Sequence, residues 1–183
     1  GRSSIIKIRK RNDMKTTIFT FHPQLKTGSR INKELATAAA GAGYDVRDMY
    51  QLYPNFDIDV KTEQKILEVS DRIVLQFPIY WYQTPALMKQ WFDVVFEYGW
   101  AYGSTGTALQ GKDVMLVASF GAGQDDYTRN GRFHVTIEEI LKPITTIQYL
   151  TGLTFLEPLI ITGTLNMDQE LLSNKVNKYL QII

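Results

Sequence analysis

The chain has 183 residues, 44% of them hydrophobic and 21% charged, which suits a single globular domain with a full core. It has no cysteine and two histidines, which excludes disulfides, thiol catalysis and cysteine-ligated clusters and argues against a histidine-rich metal site; no metal is expected. The formal charge of +1 rests on Arg2, Lys7, Arg9, Lys10 and Arg11; without those five cations and Asp13 it becomes −3, so nucleic acid is not an expected partner.

Residues 1–13, "GRSSIIKIRKRND", precede Met14 and read as an appended tag or a disordered arm. Residues 14–183 read as one domain. "TTIFTF" (16–21) is β-branched and aromatic, as a strand requires. The loop "HPQLKTG" leads to an alanine-rich helix over 29–43, with Ser29 as its cap and Gly41 and Gly43 ending it. "YDVRDMY" (44–50) alternates like a strand, and 60–70 follow a helical pattern. "RIVLQF" (72–77) and "DVMLVASF" (113–120) are continuous apolar runs of the kind buried in parallel sheets. A helix is expected over 84–98, with Thr84 as cap and Pro85 at its first position. Helix over 133–150, strand over 153–162 and helix over 167–182 complete the chain. Five strand–helix alternations imply βαβ units and a parallel sheet covered on both faces.

Residues 77–102, "FPIYWYQTPALMKQWFDVVFEYGWAY", hold ten aromatic residues and all three tryptophans. On the 84–98 helix, Leu87, Trp91, Val94, Val95 and Tyr98 share one face, and Met88, Phe92 and Phe96 widen it to roughly 200°, twice what one sheet needs to cover. The excess predicts a homodimer through Met88, Phe92 and Phe96. No apolar run reaches the roughly 18 residues that cross a bilayer.

Open parallel sheets bind ligands beyond the carboxyl ends of their strands. Three strand ends stand out. In "FHPQLKTGSRIN" (21–32) a helix start offers backbone N–H groups and a positive dipole end to a phosphate, with Ser29, Asn32, His22 and Arg30 nearby. Neither G-x-G-x-x-G nor G-x-x-x-x-G-K-[ST] is present, so a standard dinucleotide or P-loop site is not indicated. In "FPIYWYQTP" (77–85) the consecutive rings of Tyr80, Trp81 and Tyr82 cannot all point inward, which suits a flat heteroaromatic ligand. In "SFGAGQDDY" (119–127) two glycines allow close backbone approach.

The run "FPIYWYQTPALMKQWFDVVFEYGWAYG" fits the pattern P-x-x-W-[YF]-x-x-P-A-x-[LM]-K-x-W-x-[DE] at all its fixed positions. It closely resembles the NAD(P)H:quinone oxidoreductase family of flavodoxin-like flavoproteins. "GWAYG…GTAL.GK" is similar to its bacterial branch that includes ancillary proteins of glutathione-gated potassium-efflux systems. The resemblance implies a five-stranded parallel sheet of order 2-1-3-4-5 with helices on both faces. It also implies FMN, with FAD as the alternative flavin, and NAD(P)H as electron donor. His22, Ser29, Arg30, Ile31 and Asn32 would hold the phosphate and ribityl chain. Ile79, Tyr80, Trp81 and Tyr82 would hold the isoalloxazine, and Ser119, Phe120, Gly121 and Ala122 its other edge. Tyr127 stands where the family places a proton-handling tyrosine, as the one catalytic candidate. His134 is offset by one from the family's histidine, with Phe133 in its place, and Phe120 and Ala122 replace a small polar residue and a glycine. Trp100 and Tyr102 would lie near the substrate pocket.

The implied chemistry is a two-electron ping-pong transfer from NAD(P)H to a quinone or similar small acceptor, in the cytoplasm. The alternative is a regulatory flavoprotein subunit making peripheral contact with a membrane potassium-efflux antiporter.

Overall fold

The computed structural model describes residues 13–183; the expected tag or arm lies, but for Asp13, outside the described residues. Strand β1 (Thr16–Thr20) pairs in parallel with β2 (Asp45–Asp48) on one side and β3 (Arg72–Pro78) on the other. β3 pairs with β4 (Asp113–Ser119), which carries β5 (Thr154–Phe155) and β6 (Leu159–Ile161) along its outer edge. The strand order β2-β1-β3-β4-β5 is the expected one. The single strand expected over 153–162 is divided. Pro158 has no N–H to give to a ladder, so β5 stops at Phe155 and β6 resumes at Leu159 against Val117.

Alternate residues of the two central strands serve opposite faces. Phe19, Ile73, Leu75, Phe77, Val114 and Leu116 pack under α3 (Val60–Val69), α4 (Ala86–Val95) and α5 (Ile137–Thr145). Ile18, Val74, Met115 and Val117 pack under α1 (Arg30–Gly41) and α7 (Gln169–Ile182). Two short helices, α2 (Met49–Leu52) and α6 (Gln148–Thr151), complete the set.

Both boundaries of α4 and both of α5 differ from expectation. Helix α4 starts at Ala86; Pro85 holds the cap position with no side-chain bond, and Thr84 lies outside. Its capping comes from a distant residue instead, since the Leu87 N–H donates to the Tyr50 hydroxyl at 3.3 Å. The helix ends at Val95, because the chain turns through Glu97–Gly99 with Gly99 at φ +80°. Tyr98 therefore leaves the helical face and is 74% exposed. Met88 is fully buried within its own chain, so only Phe92 and Phe96 of the expected dimer stripe reach the surface. The helix expected from residue 133 begins at Ile137: His134 has a left-handed φ of +54°, and the Thr136 hydroxyl caps the start by accepting from the Glu139 N–H. It stops at Thr145, and α6 forms separately.

Candidate functional site

The loops after β1, β3 and β4 meet at the carboxyl ends of the strands. After β1, His22 is buried, and its Nδ1 accepts from the Gln24 N–H at 2.9 Å. That contact fixes the neutral, Nε2-protonated form. Burial lowers the His22 pKa, and the nearby Asp48 carboxylate only partly opposes this. Its ring meets the edge of Tyr80 at 6.2 Å, which joins the first loop to the second. Ser29 caps α1 and accepts the Asn32 N–H at 3.1 Å. Helix α1 has no acidic residue in its first turn, whereas α3, α5 and α7 each have one or two. The first N–H groups of any helix lack intrahelical partners, so this end keeps its positive potential for an anion.

The candidates of this loop do not all converge. Ile31 is buried under α7. Arg30 turns toward the start of α7, donating to the Met167 carbonyl at 2.7 Å and to Gln169 Oε1 at 3.2 Å. Asn32 points inward and donates through Nδ2 to Ser119 Oγ at 3.0 Å.

After β3, the Ile79 N–H donates to the Ser119 carbonyl at 2.8 Å, which continues the sheet by one bond. The chain then reverses in a two-residue turn: Tyr80 and Gln83 exchange both backbone hydrogen bonds, at 2.9 and 3.0 Å. Trp81 and Tyr82 at its centre have φ of +49° and +63°. Positive φ at both central positions marks a type I′ turn, which favours Gly, Asn or Asp. Two bulky aromatics there are strained by order 1–3 kcal/mol each. Their rings are not core: Trp81 is 87% exposed and Tyr82 43%.

After β4, Phe120 sends its side chain into the core against Tyr127, with ring centroids 5.0 Å apart. Only its backbone serves the turn. The loop after β6 braces this turn, because Gly163 donates to the Ala122 carbonyl at 2.7 Å and Thr164 to the Phe120 carbonyl at 3.2 Å. Gly121 and Ala122 stay half-buried at the surface. Tyr127 is buried between Phe120 and Phe133, and its hydroxyl lies near Tyr82 and the Ala122 backbone. Burial raises its pKa, as it does for Tyr50 and Tyr80, so all three remain donors at neutral pH. Phe133 packs on both Tyr127 and Tyr82, while His134 is exposed and its Nδ1 lies 3.2 Å from the Arg129 carbonyl.

Beside Tyr82 an apolar groove of about 490 Å³ runs between α4 and α5, past Ile79, Phe92, Phe96 and Ile144 to Tyr102. Trp100 does not join the other candidates. Its Nε1 donates to Glu68 at the end of α3, just before β3 begins. That is the opposite end of a seven-residue strand, roughly 20 Å away at about 3.3 Å per residue.

Sequence reasoning overlooked two contributors. Tyr50, from the segment after β2, caps α4 and stands near Tyr80. Leu165, 81% exposed, lies beside Gly121. Neither sits in a motif, and both reach the site only through the sheet order.

The fold and site define a doubly wound α/β protein with a ligand surface at its topological switch point. A family model described as the flavodoxin-like fold matches residues 14–183, and the chain belongs to that family. It is 42% identical to a Bacillus subtilis protein named uncharacterized NAD(P)H oxidoreductase YrkL, covering 90% of this chain and 95% of that one. It is 38% identical to the glutathione-regulated potassium-efflux system ancillary protein KefF of an Enterobacter species, over 87% and 90% of the two chains. Among solved structures it resembles general stress protein 14 of Treponema denticola in complex with FMN, with TM-score 0.85, 35% identity and coverage of 91% and 96%. It also resembles an NADPH-quinone reductase from P. pentosaceus, with TM-score 0.81, 29% identity and coverage of 92% and 96%.

Proposed function

We propose that this protein is an FMN-dependent NAD(P)H dehydrogenase that passes two electrons to a quinone or similar small acceptor in a ping-pong cycle. The observation that carries the reading is the strained Trp81–Tyr82 turn. It holds exposed rings at the carboxyl end of β3, where a flat heteroaromatic would lie. Strain of this kind persists where the surrounding structure enforces it, commonly at ligand clamps. The FMN complex of a 35% identical protein supports the choice of FMN over FAD, and the quinone reductase supports the acceptor class.

The residues present fit a flavin mononucleotide. The start of α1, free of acidic residues, receives the phosphate, with the Ser29 cap defining the path of the chain. Ile79, Tyr80, Trp81 and Tyr82 hold the ring system along one edge. The 119–122 turn, braced from the loop after β6, would line the other, with the Phe120 N–H already given to the Ile161 carbonyl. Arg30 orients the start of α7 in this arrangement, and His22 supports Tyr80. When bound, the flavin supplies the redox chemistry, and the protein supplies position and electrostatics. Tyr127, protonated at neutral pH and facing the Ala122 backbone and Tyr82, donates a hydrogen bond where negative charge develops. The apolar groove beside Tyr82 excludes water from the acceptor.

The reading includes a cytoplasmic homodimer that covers this groove with a second copy through Phe92 and Phe96. Trp100 would then serve the partner's site rather than its own, while Tyr102 lines the groove of its own chain. A second reading, supported by the 38% identical efflux ancillary protein, is a regulatory flavoprotein docked on a membrane antiporter. Among the described residues no helix is long and apolar enough to cross a membrane.

The test is the absorption spectrum of the purified protein, mass analysis of the released flavin, and stopped-flow mixing with NAD(P)H and then quinone. Bound FMN, bleached by NAD(P)H and restored by quinone with parallel-line steady-state kinetics, is the expected result. Failure to retain any flavin at micromolar concentration rejects it. Turnover too slow to matter, combined with co-purification on antiporter-containing membranes, would favour the second reading.

A further inference from the structure

Four polar side chains form a continuous buried chain across the sheet: Tyr179, Gln76, Asn32 and Ser119 are exposed by 0%, 1%, 4% and 6%. The Tyr179 hydroxyl lies 3.1 Å from Gln76 Oε1. Gln76 Nε2 lies 2.9 Å from the Asn32 main-chain carbonyl and 3.2 Å from Asn32 Oδ1. Asn32 Nδ2 lies 3.0 Å from Ser119 Oγ.

The direction of every bond in this chain follows from one group. A main-chain carbonyl can only accept, so the Gln76 atom facing the Asn32 carbonyl must be the amide nitrogen. Its other end is then the oxygen, and Tyr179 must donate to it. The two hydrogens of Gln76 Nε2 go to the Asn32 carbonyl and Oδ1, so the Asn32 amide nitrogen must face Ser119. Ser119 Oγ accepts that bond and keeps its own hydrogen. Among the described residues no acceptor takes that hydrogen, and Ser119 is the last residue of β4, at the turn facing the site.

Resting on the FMN reading, we propose that Gln76 is a positioning residue whose bonds to Asn32 make Ser119 an obligate hydrogen-bond donor to the bound flavin. The same chain links the start of α1 to the 119–122 turn, so one buried amide on β3 sets the polarity of that contact. Without the Gln76 amide the Asn32 Oδ1 has no donor, the Asn32 amide can reverse, and Ser119 is free to spend its hydrogen on Asn32; the Tyr179 hydroxyl only adds to an orientation that the Asn32 carbonyl already fixes. Buried networks of this kind act as units.

A double-mutant cycle read by FMN titration of the apoprotein tests this. Ser119→Ala is expected to weaken FMN about fivefold to tenfold, the worth of one neutral hydrogen bond. Gln76→Met is expected to weaken it roughly threefold in the wild-type background and by less than about 1.5-fold in the Ser119→Ala background, because it acts only through Ser119. Tyr179→Phe leaves the Asn32 carbonyl to orient Gln76 and should change FMN affinity by less than about 1.5-fold. Tyr44→Phe, which deletes a hydroxyl bound to the Ile183 carbonyl at the end of α7, should leave FMN affinity unchanged. Additive losses in the cycle, or unchanged affinity in Gln76→Met, overturn the proposal while the FMN reading stands. A loss in Tyr44→Phe equal to that in Gln76→Met would show that packing alone is at work, which also overturns it. A wild-type protein that takes up no FMN overturns the flavin reading, and this proposal with it.

Discussion

At the scale of single residues, the site depends on groups that burial keeps in one protonation state. Tyr127 is held between Phe120 and Phe133 with its hydroxyl at the 119–122 turn. Tyr127→Phe removes only that hydroxyl. It should leave flavin content intact and slow one half-reaction by about 100-fold, the usual size of a lost proton donor; stopped-flow rates of both half-reactions within twofold of wild type would remove Tyr127 from the mechanism. His22 makes a prediction about pH. Its folded-state pKa lies below the ordinary 6.5 because burial disfavours the charged ring. The unfolded chain therefore binds the proton more readily, and stability from this residue is fully present above 6.5 and lost as pH falls through the depressed value. Urea titrations of the apoprotein should show this loss, and His22→Asn should flatten it. An unchanged pH profile in the variant would assign the acid sensitivity elsewhere.

At the scale of elements, β2, α3 and α4 are tied through one buried carboxylate. Glu63, with no exposed surface, accepts from Arg47, from the Tyr53 hydroxyl at 2.6 Å and from the Trp91 indole N–H at 3.0 Å. It raises the Tyr53 pKa together with burial, the larger cause. Trp91 thus belongs to the core rather than to a ligand site. Glu63→Gln leaves the Arg47 charge without its counterion and should cost about 3 kcal/mol in urea denaturation, the lower end for a broken buried pair. A loss under about 1 kcal/mol would mean that Arg47 finds water. The start of α4 depends on Tyr50, since Pro85 supplies no side-chain bond. Tyr50→Phe should cost on the order of 1 kcal/mol, the worth of a lost cap. It should also loosen the neighbouring Tyr80–Gln83 turn, seen as faster amide exchange there.

At the scale of the whole molecule, the α4–α5 groove of about 490 Å³ is lined mainly by apolar side chains, and it opens beside Tyr82. If a second copy covers it, Phe92→Glu places a charge in a desolvated interface. The variant should sediment as a monomer at micromolar concentration and bind flavin more weakly than wild type. A wild-type protein that sediments as a monomer would reject the dimer. Trp100→Ala would then leave acceptor kinetics unchanged, because Trp100 lies at the far end of its own sheet.

Local sequence determined the parallel sheet and most of its elements. Runs such as "RIVLQF" and "DVMLVASF" are apolar on both faces, and only a strand covered on two sides satisfies them. Ser29 capped its helix as read, because a cap bond spans three residues and needs nothing distant. The motif from Phe77 to Tyr102 marked the aromatic loop, since consecutive rings cannot all be buried. Tertiary structure decided the rest. Trp81 and Tyr82 sit in a left-handed turn that their own preferences oppose, so the sheet and the Tyr80–Gln83 bonds impose it. Met88 is fully buried within its own chain, and Tyr98 left the helical face because α4 ends at Val95, before a turn through Gly99 whose conformation periodicity does not reveal. Arg30 chose the Met167 carbonyl, Tyr50 chose the start of α4, and Tyr179 chose Gln76, over sequence separations of 137, 37 and 103 residues. Such partners are set by the order in which strands lie side by side, and a hydrogen bond carries no trace of its distant acceptor in the local pattern of the chain.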